Sequence, residues 1–133
     1  MRIFKIKWFA RFSRSESIDD QSLIDAVDRA ARGLVDADLG GGLIKQRIAR
    51  SGQGRSSGYR TIIAYRNKDR AIFLYGFAKN ERANISPDDV RDLRIVGQAW
   101  LNASIERLEA AVMDGALESI NDQKASKKVD ENE

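Results

Sequence analysis

The sequence predicts one α+β domain on a mostly antiparallel, twisted sheet of about four strands, with helices packed on one face and an extra C-terminal helix. Three observations carry this reading. At 133 residues the chain can bury one modest core and little more. Strand-like runs dominate its start and its middle. A strongly capped amphipathic segment follows them, so the order is strand, helix, three strands, helix, helix.

Arg2 to Phe12 alternates, with Phe4, Ile6, Trp8, Ala10 and Phe12 on the parity expected to face a core. Asp19 or Asp20 can cap a helix running to about Leu34, whose apolar stripe is Leu23, Ala26, Val27, Ala30 and Ala31, with Gly33 as a stop. The Gly40-Gly41-Gly42 run breaks the chain before three strand-like stretches, Leu43 to Arg50, Gly58 to Arg66 and Arg70 to Lys79. Ser/Gly-rich and Asn-Lys-Asp turns between them suit an antiparallel meander. Ser86-Pro87-Asp88-Asp89 opens a helix, with a serine cap, proline in the first turn and two acids on the positive dipole end. Val90, Leu93, Val96, Gly97, Trp100 and Leu101 form its inner face. A last helix carries Ile105, Leu108 and Val112 and extends toward Leu117 and Ile120. Residues 1–120 are thus expected to form a single domain, and residues 121–133, polar and mixed in charge, a disordered tail.

Composition excludes much chemistry. Cysteine and histidine are absent, which removes disulfides, thiolate nucleophiles, imidazole bases and nearly every zinc or haem site. No metal and no cofactor is expected; catalysis would fall to Lys, Arg, Tyr or carboxylates. No run of eighteen apolar residues is present, and Arg2, Lys5 and Lys7 interrupt the start, so a cytoplasmic protein without membrane contact is expected. The net charge of +3 is mild, but its distribution is not. Between Lys45 and Arg82 ten cations stand against Asp69 and Glu81, a local +8 that leaves the rest of the chain at −5.

Strand parity selects within this block. Lys45 and Arg47 project from one face two residues apart, and Arg60 and Arg66 share a face of the next strand. Side by side, they would make a cationic surface suited to a phosphate backbone; the alternative is a solvated outer face of the sheet. Arg50 and Arg55 extend the basic character into the loop. Tyr59, Tyr65, Phe73, Tyr75 and Phe77 interleave with the cations as in surfaces that stack bases; Phe73 and Phe77 read as packing, Tyr59 and Tyr75 as candidate RNA contacts. Gly52 to Gly58 has three glycines but lacks the Gly-Lys-Ser/Thr ending and the following helix of a phosphate-binding loop, and reads as a hairpin tip. Lys79-Asn80-Glu81-Arg82 leaves the last strand toward a helix start, a natural place for functional side chains.

The ordered set Lys45-Gln46-Arg47, Ser56-Ser57-Gly58-Tyr59-Arg60 and Gly76-Phe77-Ala78-Lys79-Asn80-Glu81-Arg82 resembles the core of the RelE/HigB superfamily of toxins from type II toxin-antitoxin systems. The likeness covers about half the chain closely. It implies a RelE-like fold and a metal-independent mRNA endoribonuclease acting in the ribosomal A site, where the ribose 2′-hydroxyl is driven onto the adjacent phosphate and translation is inhibited. Lys45 and Arg47 match the paired strand cations that polarise the nucleophile and hold phosphate, Arg60 the arginine that stabilises transition-state charge, and Lys79 a basic residue ending the last strand. A lysine among cations can serve as base, and guanidinium groups fork onto phosphate oxygens. Where the best-understood members carry an arginine after that lysine and a later tyrosine, this chain has Asn80 and Ser86 or Ile85. The acid role is therefore open among Arg82, Tyr75 and Tyr59.

The resemblance also implies a cognate antitoxin, of the helix-turn-helix type as in HigB systems, with mRNA and the ribosome as the other partners. Two other functions compete: a ParE-like toxin acting on DNA gyrase by protein contact, and a nucleic-acid-binding module without turnover. The clustered cations favour the nuclease over the gyrase poison.

Overall fold

The computed structural model describes residues 1–49, 58–82 and 84–120. Its elements run β1 (Arg2–Ile6), α1 (Lys7–Ser15), α2 (Asp20–Ala31), β2 (Ala37–Gly40), β3 (Leu43–Ile48), β4 (Tyr59–Arg66), β5 (Arg70–Ala78), α3 (Pro87–Leu101), α4 (Ile105–Asp114) and β6 (Leu117–Ile120). The strands form one sheet in the order β2-β3-β4-β5-β1-β6. All pairings are antiparallel except β1 with β5. The α+β class with a mostly antiparallel sheet is as the sequence predicts, but the sheet has six strands among the described residues instead of about four.

The two added strands are β2 and β6, and α1 is an added helix. The alternating start of the chain is a strand only to Ile6; from Lys7 it is helix, because Phe9, Ala10 and Ser13 are buried at helical spacing and Phe12 packs beside them. The last helix stops at Gly115, which takes a left-handed φ of 87° that favours glycine. Leu117 and Ile120 then belong to β6 and not to the helix, pairing with Ile6 and Ile3 of β1. The short β2 lies on the outer edge of β3.

Helices cover both faces of the sheet, not one. Ile3, Ile44, Ile48, Tyr59, Ile63, Ala71 and Phe73 pack with α1 and α2 through Phe9, Leu23, Ala26, Val27 and Ala30. Phe4, Leu43, Ile62, Ala64, Ile72, Leu74 and Phe77 pack with α3 and α4 through Leu101, Leu108 and Ala111. Alternate strand residues are apolar on both sides, as a two-sided sheet requires. On α3, Gly97 and Leu101 are buried, whereas Val96 is 41% exposed and does not belong to the inner face. Gly97 lets α3 approach closely: a Cβ there would lie 3.2 Å from Ala64 and Leu74 and 3.3 Å from Leu43. The Asp19 and Ser86 side chains accept the backbone N–H groups of Ser22 and Asp89, fixing the starts of α2 and α3. No described helix is long and apolar enough to cross a membrane. The tail 121–133 lies outside the described residues.

Candidate active site and nucleic-acid interface

Register sets the site. Across β3, β4 and β5, Lys45 pairs with Ile62 and Ile62 with Tyr75; one rung along, Arg47 pairs with Arg60 and Arg60 with Phe77. Pairing aligns side chains on a common face, so Lys45, Ile62 and Tyr75 make one row and Arg47, Arg60 and Phe77 the next. Both rows lie on the face that carries α3.

Tyr75 reaches this face through a β-bulge. Between Ile62/Ile63 of β4 the partner on β5 jumps from Tyr75 to Phe73, leaving Leu74 as the extra residue. Ile72 and Leu74 face α3 before the bulge, and Tyr75 and Phe77 face it afterwards, whereas Phe73 packs on the α1 side. Simple alternation would have kept Phe73, Tyr75 and Phe77 together; the bulge separates them and re-aims the tyrosine.

Arg60 is only 7% exposed and stands opposite Arg47. Burial, and then the charge of Arg47, push its pKa below the usual arginine value, with Asp36 partly offsetting them. An arginine stays protonated under such a shift, so the rung holds two like charges together. The strand is anchored from behind. The Gln46 amide lies on the opposite face, donating to the carbonyls of Ala26 and Leu34 and accepting from the Asp36 N–H, while an Asp36 carboxylate oxygen accepts from the Arg47 N–H at 2.7 Å.

A second group closes the site at the start of α3. Lys45 Nζ donates to Asn84 Oδ1 at 3.2 Å. Arg82 donates to the Tyr75 hydroxyl oxygen at 3.0 Å, approaches Asp89 at 3.4 Å and lies 5.7 Å from the centroid of the Phe77 ring. Tyr75, Ile85, Asp89, Asp92 and Leu93 line a cleft of about 200 Å³ beside it. From α1, Trp8 stacks on the Tyr75 ring with centroids 4.8 Å apart and is itself 41% exposed.

The structure thus brings Lys45, Arg47, Arg60, Tyr75 and Arg82 to one end of one face. Lys79 is exposed just beyond β5 at the same end, its N–H on the Gly58 carbonyl. Tyr59 is not with them. It is buried on the opposite face, edge-on to Phe12, and its hydroxyl donates to the Glu16 carbonyl. Arg66 shares Arg60's parity but sits six residues along β4, about 20 Å away, in an ion pair with Asp69. Arg50 and Arg55 lie outside the described residues. Asn84, Trp8 and Asp89 join the site without a sequence signal that singles them out. Asn84 is legible only as a polar residue at the mouth of a capped helix, and Trp8 is hidden when its segment is read as strand.

Comparison with known proteins agrees with this architecture. The model of the family described as the RelE toxin of the RelE/RelB toxin-antitoxin system matches residues 1–120, which takes in every described element. No match is found among curated proteins. A match over so much of the chain settles its affiliation: it belongs to the RelE toxin family, the toxin half of a toxin-antitoxin system.

Proposed function

We propose that this toxin is a metal-independent endoribonuclease that cleaves mRNA on the ribosome and so inhibits translation. The observation that carries the reading is the rung holding Arg47 against the buried Arg60, with Lys45 in the adjoining row. A phosphodiester placed over these side chains gains charge-assisted hydrogen bonds from both arginines. Lys45, oriented by Asn84, is placed to take the proton of a 2′-hydroxyl. The 2′-oxygen then bonds to phosphorus and the bond from phosphorus to the 5′-oxygen breaks, giving a 2′,3′-cyclic phosphate and a 5′-hydroxyl end. Lys79 extends the phosphate-binding surface along the RNA strand, and Arg50 and Arg55 are the further RNA contacts that the sequence suggests.

Family membership brings an antitoxin as partner. An acidic segment of it, attached to a helix-turn-helix domain, would cover the cationic rows and withhold them from RNA in the cytoplasm. The experiment is primer extension on cellular mRNA after induction, comparing the wild type with the K45A/R47A/R60A variant. Cleavage and growth arrest that disappear together in the variant support the reading. Cleavage that persists, or gyrase-linked DNA breaks with intact mRNA, would overturn it.

A further inference from the structure

Cleavage of this kind leaves one proton unassigned: the leaving 5′-oxygen needs a donor on the far side of the phosphate from Lys45. We infer that Tyr75, its oxygen held by Arg82, is the general acid that protonates this leaving oxygen. The inference rests on the ribonuclease reading and names a catalytic residue within it.

Three features place the group. First, Lys45 and Tyr75 flank the same residue, Ile62, from the two neighbouring strands. Their Cα atoms are therefore two strand spacings apart, about 10 Å, with a buried isoleucine as floor between them. Displacement at phosphorus puts the attacking and leaving oxygens on opposite sides, so a base and an acid must face each other across it. A lysine and a tyrosine reaching inward from these positions meet that requirement, with Arg47 and Arg60 one rung away for the non-bridging oxygens.

Second, the hydrogen bond to Tyr75 runs in the useful direction. Arg82 donates to the hydroxyl oxygen, which leaves the phenol hydrogen free to be donated onward. The guanidinium also balances the negative charge that develops on the oxygen as the proton leaves. Third, the β-bulge is what turns Tyr75 to this face, while stacking on Trp8 fixes its ring. Of the other two groups open for the role, Tyr59 is excluded by its burial on the opposite face. Arg82 acts through Tyr75 as a positioning residue. In the balanced step Lys45 gains the 2′-hydroxyl proton and Tyr75 gives one to the 5′-oxygen; both groups then exchange with water.

The test uses two RNA oligonucleotides, presented on programmed ribosomes, that differ in one atom: an ordinary linkage, or sulfur in place of the bridging 5′-oxygen. A thiolate leaves without a proton, so an acid is dispensable for the second substrate only. Y75F is expected to cleave the ordinary linkage about 100-fold or more slowly than wild type and the sulfur linkage within a few-fold of it. K45A is expected to lose both. R82M, which leaves the tyrosine in place, should show the same selective loss in milder form and serves if Y75F is poorly folded by circular dichroism. Equal losses on both substrates, or no loss on the ordinary one, would overturn the assignment while leaving the nuclease intact. A wild type that cleaves neither substrate would instead remove the ribonuclease reading and this assignment with it.

Discussion

Arg70 and Arg60 are both buried strand arginines, on β5 and β4, and their surroundings are opposite. Arg70 donates to Asp69 at 2.8 Å and to the carbonyls of Trp100 and Ala103 at 3.0 and 2.6 Å, so its charge caps the C-terminal end of α3, where the helix dipole is negative. Arg60 instead stands opposite another arginine at the far end of the strand. Arg70 is held by fixed acceptors, whereas Arg60 has the like charge of Arg47 among the groups that act on it. The contrast separates two uses of a basic segment. Arg66 and Arg70 serve the fold through Asp69, whereas Lys45, Arg47, Arg60 and Arg82 gather at the other end, in the proposed RNA site.

Four experiments sharpen that contrast. The largest effect is expected at the open end: R60M should lower RNA cleavage by about 100-fold or more, the usual loss when a transition-state charge donor is removed. Because burial and the charge of Arg47 disfavour the charge at that position, R60M should cost less stability in urea unfolding than R70M. R70M should do the reverse, losing about 3 kcal/mol of stability by stranding the carbonyls of Trp100 and Ala103, with cleavage per folded molecule retained. If R60M proves as destabilising as R70M, the division between the ends fails.

Salt dependence gives a smaller signal. The slope of log affinity for single-stranded RNA against log salt should become shallower by about 0.7 for each phosphate that a variant no longer neutralises. R47A should show this change, and R66A should not. The smallest effect concerns acid stability. Hydrogen bonding from Arg66 above all, and then Arg70, holds the Asp69 carboxyl below its ordinary value of 3.8. A depressed folded pKa contributes stability above pH 3.8 that is lost as pH falls through the lower folded value. Asp69→Asn should therefore weaken the fold at neutral pH and flatten the loss of stability below pH 3.8. An unchanged acid profile would show that Asp69 does not couple the arginines of that end.

Much of the fold is legible in the sequence because local chemistry spells it out. Ser86-Pro87-Asp88-Asp89 carries a cap, a first-turn proline and dipole-matched acids, and α3 begins at Pro87. The β3 to β5 meander follows from apolar runs separated by turn residues. The α1 helix is hidden because Arg2 to Phe12 satisfies a period of two, whereas the folded chain buries Phe9 and Ser13, four residues apart. β6 is hidden because four residues are too few to carry a period, and its strand state comes from pairing with β1.

The site divides along the same line. Composition and order determined that this chain must work without histidine or cysteine, that its cations are concentrated between Lys45 and Arg82, and that Lys45, Arg47 and Arg60 are candidates by strand parity. Which cations meet was decided only by tertiary structure. Register is a relation between strands, so no single strand can state that Arg47 faces Arg60 or that Lys45 and Tyr75 share Ile62. The bulge at Leu74 reverses the parity of β5, turning Tyr75 toward the cations, while Tyr59 stays on the opposite face.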